Sequence, residues 1–396
     1  MKNKRKVLRN KSVLLGISGG VSAYKSIDLA RRLREEGALV NVIMTEAAKH
    51  FVTPLSLEVA SRNTVYTDLY ASPMAHISLP ADADIMVVAP ATANTIGKFA
   101  HGIADDLLSL SFLSFKGNVV IAPAMNWRMY GHPVFQRNLD TLLQLGIIQA
   151  GPEKGSLACG EEGIGRMAEV PDIIEVVKGA LTAKDFADER VLVTAGPTRE
   201  YLDPVRFLSN RSSGKMGYAL ARAALRRGAQ VTLISGPSAL PQPKGITFIA
   251  VETAGDLQSA VNRELPSSTV LLMAAAVSDF VPPKKSDEKI EKSDELSLKL
   301  VLAPDILSEA GRRESKSFLV GFAAETGQQI NKARKKLQDK NIDLIVFNDV
   351  TEPGSGFDVD TNKVVLIDRG RETALPLLNK DEVADAILDR IAELRA

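Results

Sequence analysis

The sequence predicts two consecutive α/β domains, each built on a doubly wound parallel sheet. Three observations carry this. The chain has 396 residues, more than one ordinary core accommodates and suited to two domains of roughly 200. A strand, glycine turn, helix and second strand open the chain, and the same grammar returns near residue 190. The remaining strand-like segments are continuous apolar runs, the pattern of strands covered by helices on both faces.

In chain order, Val13–Ile17 is the first apolar run and leads into Ser18-Gly19-Gly20. A helix then places Ile27, Ala30 and Leu33 on one face, stops at Gly37 and gives way to a strand over Val40–Met44. Further strands are expected at Ile85–Ala89 and Val119–Ala122. In the second half, Val191–Thr194 leads into Ala195-Gly196-Pro197. After an insertion, Ser213-Gly214-Lys215-Met216-Gly217 opens a helix carrying Leu220, Ala224 and Leu225. Gly228 stops it, and strands follow at Val231–Ile234, Val270–Ala276 and Leu344–Phe347. The boundary is placed within Ala180–Glu189, giving domains 1–185 and 186–396. Lys284–Lys299 alternates charge after Pro282-Pro283 and reads as a surface loop.

The net charge is +1, which gives no reason to expect a nucleic-acid or membrane partner. The basic start, Met1 to Lys6, runs into a first strand rather than a signal-type apolar region. The longest apolar stretch, Val270–Val277, is far too short to span a bilayer. One cysteine makes no intrachain disulfide, so a cytoplasmic location is expected.

All four histidines (His50, His76, His101, His132) and Cys159 lie in the first 160 residues. Imidazole and thiol are the side chains best suited to proton movement and sulfur chemistry near neutral pH. The second half retains Lys, Arg, Asp, Asn and backbone donors, which suit phosphate binding and charge stabilisation. Two different sites on one chain are therefore expected.

In the first half, Ser18-Gly19-Gly20-Val21-Ser22 lets backbone N–H groups approach an anion, and fits a mononucleotide phosphate better than a pyrophosphate. Pro90-Ala91-Thr92-Ala93-Asn94-Thr95 and Pro123-Ala124-Met125-Asn126-Trp127 each follow a strand, at the sheet end where such folds bind ligands. Cys159 sits in the glycine-rich loop Gly155–Gly165. With the histidine in Ala75-His76-Ile77, these segments resemble, in the same order, the flavin-containing cysteine decarboxylase family. The resemblance implies a flavodoxin-like fold and FMN held by Gly19, Gly20, Val21, Thr45, Thr92, Asn94 and Thr95. It also implies decarboxylation of 4′-phosphopantothenoylcysteine to 4′-phosphopantetheine. The substrate thiol becomes a thioaldehyde, carbon dioxide leaves to give an enethiol, and reduction follows. His76 is then the base, Asn126 the carboxylate holder and Cys159 the final proton donor. The other three histidines read as structural or solvent-facing.

In the second half, Gly196-Pro197-Thr198-Arg199-Glu200, Asp203 to Arg206 and Ser209 to Gly217 form a hydroxyl- and arginine-rich lead into the helix. Gly214-Lys215 is not a Walker A motif, since Met216 replaces the required Ser or Thr. Ala274-Ala275-Ala276 allows close ligand approach, and Asp279 suits a ribose, a metal ion or a helix cap. With Pro304-Asp305-Ile306-Leu307, Gly321 to Thr326, Lys336 and Lys340, this half resembles the phosphopantothenate–cysteine ligase family. The resemblance implies a Rossmann-like fold in which CTP activates 4′-phosphopantothenate as an acyl cytidylate that L-cysteine attacks. Ala274, Ala275, Asp279, Lys289, the 304–307 turn, Phe322, Lys336 and Lys340 would contact CTP, and Mg²⁺ would bridge the triphosphate beside Asp279. Lys289 would stabilise charge on the reacting phosphate, and Asn210 would hold the cytidylate. Arg211 and Glu291 stand where a histidine and a lysine are usual. The two reactions are consecutive in coenzyme A biosynthesis, so the expectation is a bifunctional cytoplasmic enzyme. Trimeric flavin domains and dimeric ligase domains would combine into a closed homo-oligomer, a dodecamer.

Overall fold

The computed structural model describes residues 6–70, 73–156, 160–292, 294–313, 317–327, 329–356 and 358–395. They form two compact units, Met1–Thr182 and Ala183–Ala396.

The first unit is flavodoxin-like. Its sheet has six strands in the order Val65–Tyr66, Leu39–Met44, Ser12–Ile17, Ile85–Ala91, Asn118–Pro123 and Ile148–Gln149. All of its strand pairs are parallel. Alternation within one strand explains its burial on both sides. Val13, Leu15 and Ile17 join Leu29 and Leu33 in one core cluster, while Leu14 joins Met86, Val88 and Ile96 in the other. The helix Lys25–Glu35 buries Ser26, Leu29, Ala30 and Leu33, a stripe at helical spacing. Ile27, expected on that face, packs only partly against the core. Gly37, with φ +96°, turns the chain out of the helix in a conformation that favours glycine.

The second unit is Rossmann-like. Its eight-stranded sheet runs Thr247–Ala250, Gln230–Ser235, Arg190–Ala195, Val270–Met273, Phe318–Glu325, Leu344–Asp349, Val364–Asp368 and Glu372–Ala374. The first six strands are parallel. The last two are antiparallel additions that the sequence reading did not anticipate. The strand expected over Val270–Ala276 ends at Met273. Ala276 N–H donates to Gly196 O at 2.9 Å instead, which pulls Ala274–Ala276 out of the sheet and onto the neighbouring turn.

In both sheets the chain winds to one side of its first strand and then resumes on the other. The reversals fall between Ser12–Ile17 and Ile85–Ala91, and between Arg190–Ala195 and Val270–Met273. At such a point the turns leaving adjacent strands diverge and open a crevice at the carboxyl ends.

Two helices of the second unit, Lys215–Arg226 and Lys380–Arg395, are joined by a ladder of ion pairs. Arg222 bonds Asp381 at 2.8 Å, Arg226 bonds Asp385 at 3.1 Å and Arg227 bonds Asp389 at 2.8 Å. Both sets of partners advance in the same direction, so the helices run parallel and their N-termini share one end. Among the described residues no helix is long and apolar enough to cross a membrane.

Candidate functional site

Each reversal point carries a cavity. The first, about 840 Å³, is lined by the three turns that the sequence singled out. Gly19, Gly20 and Val21 line it with Thr45, Thr92, Asn94, Thr95 and Asn126.

Hydrogen bonds hold these turns in register. Buried Ser18 Oγ donates to Pro90 O at 2.8 Å and accepts from Thr92 N–H at 3.0 Å. Thr92 then caps the helix Ala93–His101, its Oγ1 accepting from Thr95 N–H at 3.4 Å. A Cβ on Gly19 would lie 2.5 Å from Ala47 Cβ, so only glycine lets the first turn come this close to the Thr45–Ala47 segment. Thr45 Oγ1 is buried without a hydrogen-bond partner. An orphaned hydroxyl at the cavity wall is the feature expected where a polar ligand completes the site.

Asn126 is the N-cap of the short helix Trp127–Tyr130, its Oδ1 accepting from Arg128 N–H at 2.8 Å. Its Nδ2 points at the Glu161 carboxylate, 3.4 Å away, which also accepts from Trp127 Nε1 at 2.9 Å and Arg128 Nη2 at 2.5 Å. The amide thus already serves as one donor to a carboxylate. Glu161 belongs to the loop of a hairpin formed by Glu153–Ser156 and Glu162–Arg166. Cys159, in the same loop, lies outside the described residues.

Lys98 and Asp106 also line the cavity and were not singled out from sequence. Burial pushes the Asp106 carboxyl up, but hydrogen bonds from Lys98 and Ser109 outweigh this and hold it below the ordinary value. The pair arises from a lysine in the last turn of one helix and the capping aspartate of the next, a spacing with no motif.

His76 is not among the residues lining this cavity. It is half-buried in the first turn of the helix Ala75–Ala81, where its carbonyl accepts from Ser114 Oγ at 2.6 Å. His50, His101 and His132 are exposed, and His132 Nδ1 caps the helix Pro133–Gln144.

The second cavity is about 880 Å³. Asn210, Ala274, Ala275, Asp279, Pro304, Asp305, Ile306, Leu307, Phe322, Lys336 and Lys340 all line it. Asn210 Nδ2 donates to Val277 O at 2.8 Å, and Ser278 N–H donates to Thr198 Oγ1 at 3.1 Å. These bonds fix the alanine turn against Gly196-Pro197-Thr198. Lys336 pairs with Glu325 at 2.6 Å and Lys340 with Asp305 at 2.8 Å. Asp305 also caps the helix Ile306–Arg312. Burial raises its carboxyl, but Lys340 and Ser308 N–H bring it below the usual range.

Lys289 does not line this cavity and is exposed. Its loop is anchored one residue later. Ile290 N–H donates to Asp203 Oδ2 at 3.1 Å, and Ile290 O accepts from Arg206 Nη1 at 2.9 Å. Asp203 is fully buried; burial raises its carboxyl, yet the N–H groups of Val205, Arg206 and Ile290 hold it ionised below its ordinary value. The sequence reading missed Lys380, which lines the cavity while only 6% exposed. Burial, then the charge of Lys215, lower its ammonium to about 8 against the pull of Asp360 and Asp358.

The chain matches the Flavoprotein family over residues 1–182. It matches the DNA/pantothenate metabolism flavoprotein C-terminal domain over residues 186–394. The coenzyme A biosynthesis bifunctional protein CoaBC of Bacillus subtilis (strain 168) is 47% identical over 403 residues, covering 98% of each chain. The protein of that name from Escherichia coli (strain K12) is 43% identical over 394 residues, covering 97% of each chain. A crystal structure of the C-terminal domain of a CoaBC protein is 40% identical over 54% of this chain and 98% of that one, with a TM-score of 0.47. With identity of this order along nearly its whole length, the chain belongs to the family of coenzyme A biosynthesis bifunctional proteins.

Proposed function

We propose that the chain performs two successive steps of coenzyme A biosynthesis in the cytoplasm. The second domain joins 4′-phosphopantothenate to L-cysteine with CTP, and the first decarboxylates the product to 4′-phosphopantetheine with FMN. One observation carries this reading: the residues named for the two ligands, His76, Lys289 and Cys159 apart, converge on two separate cavities at the two sheet reversals.

The first cavity suits FMN: a glycine turn closed against Ala47, the orphaned Thr45 hydroxyl and the capped Thr92 turn offer donors to a phosphate and a polar ring. FMN, when bound, supplies a hydride acceptor and donor beside the substrate carbon. The Asn126 amide, already donating to a carboxylate in Glu161, holds the substrate carboxylate that is lost. His76 takes the thiol proton and Cys159 returns a proton to carbon. His76 stands off its own chain's cavity, so it serves the cavity of a neighbouring copy in an oligomer whose flavin sites lie between subunits.

In the second cavity Phe322 and the 304–307 turn frame the cytosine, while Lys336 and Lys340 neutralise phosphate charge. Among the described residues no group of three or more His, Cys, Asp or Glu converges on a metal position. Asp279 would be the protein carboxylate toward Mg²⁺, which would supply neutralisation of triphosphate charge there. Lys289, exposed and off its own cavity, acts on the reacting phosphate from a neighbouring copy.

Product analysis by mass spectrometry tests both halves. Protein incubated with 4′-phosphopantothenate, cysteine, Mg²⁺ and CTP is expected to yield CMP and 4′-phosphopantetheine. Cys159→Ser is expected to stall after loss of carbon dioxide, and Lys289→Gln before ligation. A flavin-loaded protein that makes neither phosphopantothenoylcysteine nor phosphopantetheine would overturn the reading.

A further inference from the structure

The hairpin of Arg199–Tyr201 and Phe207–Ser209 leads directly into Asn210, which lines the second cavity. Its tip, Leu202 to Arg206, turns around the buried Asp203 carboxylate. Oδ1 accepts from the N–H groups of Val205 and Arg206, both at 2.7 Å. Oδ2 accepts from Ile290 N–H and from Arg206 Nη1, both at 3.1 Å. An ionised carboxylate offers about four lone-pair sites, and here four donors meet it. Asp203 therefore has no capacity left for a substrate, a metal ion or a proton in transit.

The two oxygens serve different purposes. Oδ1 closes the turn, a role that asparagine fills as well. Oδ2 meets the loop that follows Pro282-Pro283 through Ile290, and Arg206 Nη1 completes the link by donating to Ile290 O at 2.9 Å. Burying a charge is costly where a neutral amide would close the same turn, so the charge itself is kept for the loop. Two further contacts lay that loop along the hairpin tip. Ser286 N–H donates to Leu202 O at 2.9 Å, and Lys285 Nζ lies 4.9 Å from the centre of the Tyr201 ring. Lys289 thus stands between two fixed points, Ser286 and Ile290, on a stretch whose other side chains are mostly exposed. A lysine on a flexible four-carbon stem is only as well placed as the backbone that carries it.

We infer that Asp203 is a positioning residue for ligation, whose Oδ2, through Ile290, fixes the place from which Lys289 acts. This rests on the reading of Lys289 as the group that stabilises the reacting phosphate, and names what holds that group.

Initial rates of CTP-dependent pyrophosphate release by the full chain, with 4′-phosphopantothenate as acceptor, test this. Asp203→Asn keeps an oxygen for Val205 and Arg206 but sets an amide NH₂ against Ile290 N–H, donor against donor. It is expected to lower kcat roughly tenfold, the size of one lost charge-assisted hydrogen bond, with the KM for CTP unchanged. Amide hydrogen exchange over residues 286–290 is expected to quicken while the strand Val270–Met273 keeps its protection, which also reports a folded domain. In the Lys289→Gln background Asp203→Asn is expected to cost nothing further, because its effect runs through Lys289. Lys285→Ala, at an exposed side chain, loosens the loop at its other end and is expected to lower kcat about twofold with the same KM. That variant decides the matter if Asp203→Asn does not fold. An unchanged kcat in the deciding variant, a raised KM for CTP, or losses that multiply in the double variant would overturn the inference. If Lys289→Gln alone kept the wild-type rate, the underlying reading would fall, a result distinct from those in which Lys289 matters and Asp203 does not.

Discussion

Arg226 Nη2 lies 3.1 Å from Asp385 Oδ1, and the side chains are only 5% and 19% exposed. This is the most enclosed rung of the ladder between the helices Lys215–Arg226 and Lys380–Arg395. Burial pushes the Asp385 carboxyl up, Arg226 pulls it down, and Asp381 and Asp389 add to the rise. Removing the cation leaves that carboxylate buried and uncompensated.

Arg226→Met is therefore expected to destabilise the second domain by about 3 kcal/mol at neutral pH. Denaturant unfolding at equilibrium measures it. The folded carboxyl titrates above its unfolded value, so the loss is expected to shrink at acid pH, where Asp385 is protonated in both states. A loss that stays constant down to acid pH would contradict this account of the pair.

A methyl group on Gly19 would lie 2.5 Å from Ala47 Cβ and 2.8 Å from Ala47 O. Gly19→Ala is expected to push apart the first turn and the Thr45–Ala47 segment. Flavin absorbance per protein should fall severalfold while far-ultraviolet circular dichroism remains near that of wild type. Full flavin retention would show that the turn has slack that its contacts do not suggest.

His76 and Asn126 do not share a cavity within one chain. Co-expressed His76→Asn and Asn126→Leu chains are expected to form mixed oligomers with decarboxylase activity, although each variant alone is inactive. One class of subunit boundary then combines an intact His76 with an intact Asn126. If both residues served the same chain's cavity, no mixture could restore a complete set.

Lys380 titrates near 8, facing Lys215, Asp358 and Asp360. Below that pH it is charged and adds a cation to the second cavity, and the ligase kcat/KM is expected to be high. As pH rises past about 8 the charge is lost and kcat/KM is expected to fall, whereas Lys380→Arg should flatten the profile. Stability should move the other way. The unfolded chain holds this proton up to the ordinary lysine value of 10.5, so between these pH values the lysine's contribution to folded stability grows with pH.

Much of this was legible in the sequence because it is local. The runs Val13–Ile17 and Val191–Thr194, each followed by glycine and a helix stopped at Gly37 or Gly228, became the founding strand, turn and helix of each sheet. The turns at 18–22, 92–95 and 274–279 were legible for the same reason, since each follows a strand directly. Lys380 was not. Its place depends on the register of two helices whose paired residues are 159 positions apart. Val364–Ile367 is an apolar run as long as Leu344–Phe347, but it pairs in a hairpin with Glu372–Ala374 and belongs to no strand–helix–strand unit, the pattern by which the founding strands were legible.

The Ser18–Thr92 contact also bears on how the first cavity can change over generations. Ser18 Oγ meets Pro90 O and Thr92 N–H from 72 and 74 positions away, so neither turn keeps its shape alone. Ser18 Oγ also meets Thr92 Oγ1 at 3.2 Å, so the two side chains are coupled, and a library that randomises positions 18 and 92 together is expected to recover working flavin sites that single-site libraries do not reach.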